Sequence, residues 1–171
     1  MSLMFEPIRL NQQDAYAGML AMCPQPTSDY SFINLWAWAD EYGLIWAWES
    51  NLVWIQQTIP KPVYWAPVGD WRQVDWPDIF SRLSSPTEFT RVPEKLAELW
   101  MESTGDGRVI AEPLRGHWDY LYAASDLISL KGNRYHKKKN LLNQFLAGYA
   151  YRYEPLGPEM TEKALALQND W

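Results

Sequence analysis

Leu44-Ile45-Trp46-Ala47-Trp48-Glu49-Ser50-Asn51-Leu52-Val53-Trp54-Ile55-Gln56-Gln57 is the stretch that decides the fold class. Residues alternate in character on both sides of Ser50-Asn51, and a period of two belongs to a strand, not a helix. Two such runs around a two-residue polar turn read as a β-hairpin. The alternation sets Trp46 and Trp48 on one face, in position to pair across strands with Trp54. Pro60 and Pro62 then bracket a short link into Pro62-Val63-Tyr64-Trp65-Ala66-Pro67, which reads as a third, central strand.

Upstream, Met4 to Leu10 alternates briefly and suits an edge strand. Asn11 stands as a helix cap, with Asp14 at the capping-box position and Ala15, Met19 and Met22 along one face. Ser28 or Asp29 caps a second helix through Phe32, Leu35, Trp36 and Ala39, and Gly43 closes it. Downstream, Asp75 caps a helix over Trp76–Leu83, with Pro77 in the first turn, where its missing N–H is harmless. Glu88–Val92 reads as a strand, and Pro93 opens a helix through Leu96, Leu99 and Trp100. After the turn Gly105-Asp106-Gly107, Arg108–Pro113 and Trp118–Tyr122 read as strands. Ser125 caps a short helix to Leu130, Tyr149–Glu154 is a late strand, and Thr161 starts a last helix. A meander followed by alternating elements argues for an α+β or mixed α/β class with helices on both faces of a largely antiparallel sheet.

The length of 171 residues suits one domain with a proper core. A hydrophobic fraction of 47% with 21% charged residues excludes a disordered chain. Eleven Trp and ten Tyr predict a core and hairpin faces built from large rings; the alternative is an aromatic-lined cleft. Cys23 is the one cysteine, so a disulfide framework or thiolate cluster within the chain is excluded. With only His117 and His136, a histidine-based metal site is not expected. Neither a signal peptide nor a membrane-spanning apolar run is visible, which points to the cytoplasm. Met1-Ser2-Leu3, ahead of Met4, has the look of an added leader.

The charge is unevenly placed. Lys131, Arg134, Lys137, Lys138 and Lys139 fall within nine residues free of acid, and removing those five from a net charge of −6 leaves −11 elsewhere. Gly132-Asn133 breaks the chain, Asn133 caps the next helix, and Arg134 to Tyr149 is helical by pattern. Leu142, Phe145, Leu146 and Tyr149 form an apolar stripe that would anchor the helix in a core, with Tyr135 and Lys138 continuing it backwards. Cations in a first turn oppose the helix dipole by a few tenths of a kcal/mol each, ~0.3 or more. They suit an anion there, beside the unpaired N–H groups. The plain alternative is a solvated face of a surface helix.

Trp118-Asp119-Tyr120-Leu121-Tyr122, then Asp126-Leu127 and Leu130-Lys131-Gly132 leading into Tyr135-His136-Lys137-Lys138-Lys139-Asn140 and Phe145, resembles a bacterial family similar to the C-terminal domain of phosphatidylglycerol lysyltransferases. Asp29-Tyr30-Ser31-Phe32 and Asn34-Leu35-Trp36-Ala37-Trp38 sit where that family has its first helix pair. The resemblance implies a fold similar to the GCN5-related N-acetyltransferases (GNAT-like), present as two domains in tandem. Residues 1–171 would be one such domain, the N-terminal half of the pair. The pattern at Leu165–Trp171 is helical where the family would continue.

In that class a Gly-rich turn holds the pyrophosphate of coenzyme A. The turn following Tyr64-Trp65 is Pro67-Val68-Gly69-Asp70-Trp71-Arg72, with one Gly and an acid, which argues against acyl-coenzyme A as a cofactor of this half. The lysyltransferases that the family resembles use an aminoacyl-tRNA donor and a phospholipid acceptor, both phosphate-bearing. The first reading is therefore a GNAT-like acyl or aminoacyl transferase domain in which Lys131, Arg134, Lys137, Lys138 and Lys139, with His136 and Asn140, bind the phosphate of tRNA or of a phospholipid headgroup. His136, Tyr135 and Tyr120 are candidates for moving a proton, each equally suited to a structural role. The second reading is a non-catalytic half that docks on a second domain or self-associates through its apolar terminal helix. The third is a nucleic-acid-binding module, weakened by the acidic net charge.

Overall fold

A computed structural model describes residues 3–49, 51–105 and 107–169. The chain forms two compact units, Met1–Asp119 and Tyr120–Trp171. In the first, β1 (Glu6–Pro7) precedes α1 (Gln13–Ala21), α2 (Phe32–Ala37) and α3 (Ala39–Tyr42). Then come β2 (Ile45–Glu49), β3 (Leu52–Gln57), β4 (Val63–Trp65), β5 (Val68–Gly69), α4 (Trp76–Arg82), β6 (Phe89–Thr90) and α5 (Glu94–Thr104). The sheet order is β1-β2-β3-β4-β6, with β5 also paired to β3. Only β4 and β6 pair in parallel among the described residues. This is an α+β fold with a mixed, mostly antiparallel sheet.

The hairpin forms where the alternation places it. Glu49 pairs with Leu52, so the turn has two residues; Ser50 lies outside the described residues. Asn51 adopts φ 59°, a left-handed conformation that Asn tolerates better than most side chains. The register corrects the expected Trp pairing. Trp46 faces Ile55, Ala47 faces Trp54 and Trp48 faces Val53. A Glu49–Leu52 closure always sets an even-numbered residue of β2 against an odd-numbered one of β3, so three even-numbered Trp cannot share a face across it.

The two faces are covered by different helices. On the Trp46 face, Tyr16 of α1 stacks at 5.4 Å and Phe32 of α2 lies at 6.3 Å. Tyr30, in a 3-10 turn at Ser28–Tyr30, meets Trp65 edge-on at 6.0 Å on that same side. On the other face Tyr64 contacts Phe89 at 5.5 Å, and Phe89 contacts Trp100 of α5 at 4.9 Å. Trp100 in turn meets Trp76 of α4 at 5.3 Å. Trp46, Trp54, Trp65, Trp71, Trp76 and Trp100 are all buried, which is the ring-built core expected from composition. Each such ring removes about 150–250 Å² from water, so a few of them dominate burial in a sheet this small.

Several caps differ from the sequence reading. Asn11 lies inside a 3-10 turn, Leu10–Gln12, and does not cap α1. Ser31, not Ser28 or Asp29, caps α2 by accepting from the Asn34 N–H. The expected single helix divides at Trp38 into α2 and α3, and Gly43 closes α3 at φ 57° as its position predicts. Asp75 caps α4 by accepting from the Asp78 N–H at 3.1 Å.

Between β4 and β5 the register against β3 slips by one residue. Gln56 pairs with Tyr64, whereas Val53 pairs with Val68. Ala66 and Pro67 therefore stand opposite Trp54 alone, which is a β-bulge. A bulge frees a backbone group, and here the Ala66 N–H donates to the buried Tyr30 hydroxyl at 2.8 Å. Gly69 follows at φ 148°, and a Cβ there would stand 2.6 Å from the Asn51 carbonyl oxygen. Only glycine fits beside the hairpin turn.

The second unit holds α6 (Ala124–Ser129), α7 (His136–Gly148) and α8 (Thr161–Asn169). Ala123, not Ser125, is the N-cap of α6. The segments 108–113, 118–122 and 149–154, strand-like in sequence, pair with no sheet among the described residues. Alternation alone does not make a strand; a partner edge must be available, and a short isolated ribbon is not stable in water. The stripe Leu142, Phe145, Leu146 and Tyr149 is exposed, not the buried anchor that its spacing predicts. Phe145 instead contacts Tyr149 and Tyr151, each at 5.3 Å.

Candidate anion-binding site

The basic run begins where the backbone leaves helix α6. Leu130 is left-handed at φ 45°, Gly132 has φ 90°, and Asn133–Tyr135 forms a 3-10 turn leading into α7. Asn133 is thus inside the turn, and Gly132 takes the cap position. His136, Lys137, Lys138 and Lys139 occupy the first turn of α7, which carries no acid. Lys131, Arg134, His136, Lys137, Lys138, Lys139 and Asn140 are all exposed. Lys138, expected on a buried stripe, has its side chain in solvent with the rest.

Of the five cations, Arg134 is engaged. It pairs with Asp126 of α6 and lies 4.7 Å over the Tyr135 ring. Lys131, Lys137, Lys138 and Lys139 have no ion-pair partner among the described residues. Consecutive helical residues are about 100° apart, so Lys137 to Lys139 spread around the helix start instead of forming one file. Tyr135 is buried and its hydroxyl has no hydrogen-bond partner among the described residues. Among those residues, no group of three or more His, Cys, Asp or Glu could hold a metal ion. No helix among them is long and apolar enough to cross a membrane.

The first unit contains a second polar cluster that the sequence did not announce. Arg91 follows β6 in a left-handed conformation, φ 56°. Its Nη1 donates to the Asp29 carboxylate at 2.6 Å, and its guanidinium lies 4.6 Å over Trp65 and 5.8 Å from Tyr42. The Tyr30 hydroxyl donates to the Arg91 carbonyl at 2.9 Å, and the Tyr16 hydroxyl donates to the Tyr30 carbonyl at 2.8 Å. Burial drives the pKa of both tyrosines well above the usual phenol value. Nearby, burial lowers the pKa of His117, Arg91 lowers it further, and Asp29 opposes both. Asp29 and Arg91 are 62 positions apart and no motif links them, so only the fold brings them together.

The turn at Gly69-Asp70 is equally committed. The Gly69 N–H donates to Cys23 Sγ at 3.2 Å, and Asp70 forms a paired contact with Arg72 at 2.7 Å and 3.1 Å. Those bonds to Arg72 hold the Asp70 carboxyl below the usual carboxylate range.

A family model described as phosphatidylglycerol lysyltransferase, C-terminal, matches residues 21–171. A crystal structure of a conserved protein of unknown function from Bacteroides thetaiotaomicron VPI-5482 is similar at TM-score 0.76 and 26% identity. The match covers 99% of this chain and 59% of that one, so this chain spans less than two thirds of the solved protein. No curated protein matches.

Proposed function

We propose that this chain, which belongs to the family of phosphatidylglycerol lysyltransferase C-terminal domains, is a GNAT-like acyl or aminoacyl transferase domain that works with a second, similar domain. In this reading Lys131, Arg134, Lys137, Lys138 and Lys139, with His136 and Asn140, hold the phosphate groups of the donor or acceptor. The observation that carries it is the set of four lysines without ion-pair partners, among the described residues, around the start of α7, on a chain whose remaining charge is strongly negative. Anions gain there from both the full charges and the helix-start N–H groups. An aminoacyl-tRNA donor and a phospholipid acceptor both carry such groups, and the donor implies work on the cytoplasmic side. The exposed apolar residues of α7 and α8, among them Leu142, Phe145, Leu146, Leu165 and Leu167, suit contact with the second domain or with another copy.

A second reading, in which this half binds but the partner half performs the chemistry, is favoured by one specific feature. The bulge N–H of Ala66 and the N–H of Gly69 are both taken, by Tyr30 and Cys23, so neither is free to receive an acyl oxygen or a phosphate.

The test is a salt titration of binding to labelled tRNA and to phosphatidylglycerol-containing vesicles, for wild type and for a Lys137→Gln, Lys139→Gln double variant. Each phosphate contact contributes about 0.7–0.9 to the log–log salt slope. The tRNA slope should therefore fall by roughly 1.4–1.8 in the double variant if both lysines touch phosphate. Equal affinities and equal slopes for both probes would reduce the basic run to a solvated surface.

A further inference from the structure

We propose that Arg91 and Asp29 together form a receptor for a free α-amino acid, with the guanidinium taking its carboxylate and the Asp29 carboxylate its ammonium. This goes beyond the transfer reading and does not depend on the basic run.

The position comes first. Arg91 directly follows β6, and Ala66 directly follows β4, so both stand at the carboxyl ends of the parallel pair. Ligands of open sheets gather at the carboxyl ends of parallel strands, and bulges gather beside such sites. Here the bulge at Ala66 and Pro67 and the left-handed Arg91 are joined by one hydroxyl. Tyr30 accepts from the Ala66 N–H and donates to the Arg91 carbonyl. Tyr30 is itself fixed by the Tyr16 hydroxyl.

The guanidinium is held in place but not satisfied. Trp65 supports its face and Asp29 takes Nη1, while Nε and Nη2 have no partner among the described residues. The Arg91 side chain is only 17% exposed, yet neither free nitrogen is sealed from solvent. The same holds for Asp29, whose Oδ2 meets Arg91 while Oδ1 has no partner among the described residues. Holding a non-glycine residue at φ 56° is strained, and such strain collects at binding sites. A purely structural ion pair would need neither the strain nor the open edge.

Charge balance selects the ligand class. The Nε–Nη2 edge of an arginine matches a carboxylate bidentately. The pair as a whole is neutral, and the Asp29 carboxylate beside the guanidinium repels a phosphate dianion. A zwitterion carrying ammonium and carboxylate on one carbon meets both open ends at once. Tyr42, half-buried, supplies aromatic surface beside it.

The test titrates the whole chain with glycine, L-alanine and L-lysine by calorimetry and by amide-detected NMR. Acetate, methylammonium, N-acetylalanine, alanine amide and inorganic phosphate are the controls. The free amino acids should bind saturably and move the indole N–H resonance of Trp65, which donates to Gln57 at 3.1 Å. The controls should leave that resonance in place, including phosphate bound at the start of α7. Arg91→Lys and Asp29→Asn should each weaken binding at least tenfold, and Lys137→Gln with Lys139→Gln should leave it unchanged. Should the Arg91 or Asp29 variants unfold, the wild-type Trp65 shift and the control ligands still decide. A Trp65 shift with acetate or phosphate as large as that with alanine, or no saturable amino-acid binding, would overturn the proposal.

Discussion

Replacing Tyr30 with Phe removes one oxygen and leaves the ring, so it isolates what the hydroxyl does. That oxygen accepts from the Ala66 N–H at 2.8 Å and donates to the Arg91 carbonyl at 2.9 Å, in a residue 3% exposed. Each bond has a net worth of about 1 kcal/mol, and a buried group left without a partner costs about 1–3 kcal/mol more. The bulge N–H loses its partner, and the strained Arg91 backbone loses its tether. The expected total is about 3–5 kcal/mol, or roughly 6–20 °C in Tm for a chain of this length. Ten of the eleven Trp precede Tyr120, so Trp emission in a urea titration reports the first unit. Tyr16→Phe is the internal control, since it deletes a single bond, to the Tyr30 carbonyl, and should cost about 1 kcal/mol less than Tyr30→Phe. A Tyr30→Phe loss below about 0.5 kcal/mol, or one no larger than that of Tyr16→Phe, would refute the reasoning.

The same geometry sets three further outcomes. Tyr16 and Tyr30 have folded pKa values raised by burial, so they stay neutral where the unfolded chain ionises. Their contribution is therefore fully present below pH ~10 and is lost as pH rises above it, by about 1.4 kcal/mol per pH unit for each tyrosine. Alkaline denaturation of wild type should thus be steeper than that of Tyr16→Phe, and equal slopes would contradict the assignment. Gly69→Ala should prevent accumulation of folded protein or lower stability by at least ~2 kcal/mol in urea, because the new Cβ would meet the Asn51 carbonyl oxygen at 2.6 Å. Coenzyme A should show no saturable binding to this chain by calorimetry, because the Ala66 and Gly69 amides are already engaged; micromolar binding would sink that expectation.

The hairpin was legible because its signal is local. Alternation on both sides of a two-residue turn fixes pairing without reference to the rest of the chain. The caps at Asp75 and Gly43 were legible for the same reason. What failed was whatever depends on a distant partner. Segments 108–113, 118–122 and 149–154 carry strand-like residues, yet the sheet offers them no edge among the described residues. The stripe on α7 has core spacing but stands in solvent, since period reports amphipathicity and not what covers the face. The basic run was visible as composition, though its pairing of Arg134 with Asp126 was not. The Arg91–Asp29 pair had no sequence signal, because its members are 62 positions apart and only the sheet closes that separation.

Whether the lysines at the start of α7 serve transfer by holding phosphate is read most directly from movement of a radiolabelled aminoacyl group from aminoacyl-tRNA to phosphatidylglycerol vesicles. The enzyme would be this domain joined to a second domain of its family, with and without Lys137→Gln and Lys139→Gln. The unsubstituted protein should transfer the group, and transfer should fall at least tenfold in the double variant while its folding transition is unchanged. Equal transfer by the two proteins across about 50 to 200 mM salt, a range over which phosphate contacts weaken strongly, would contradict it.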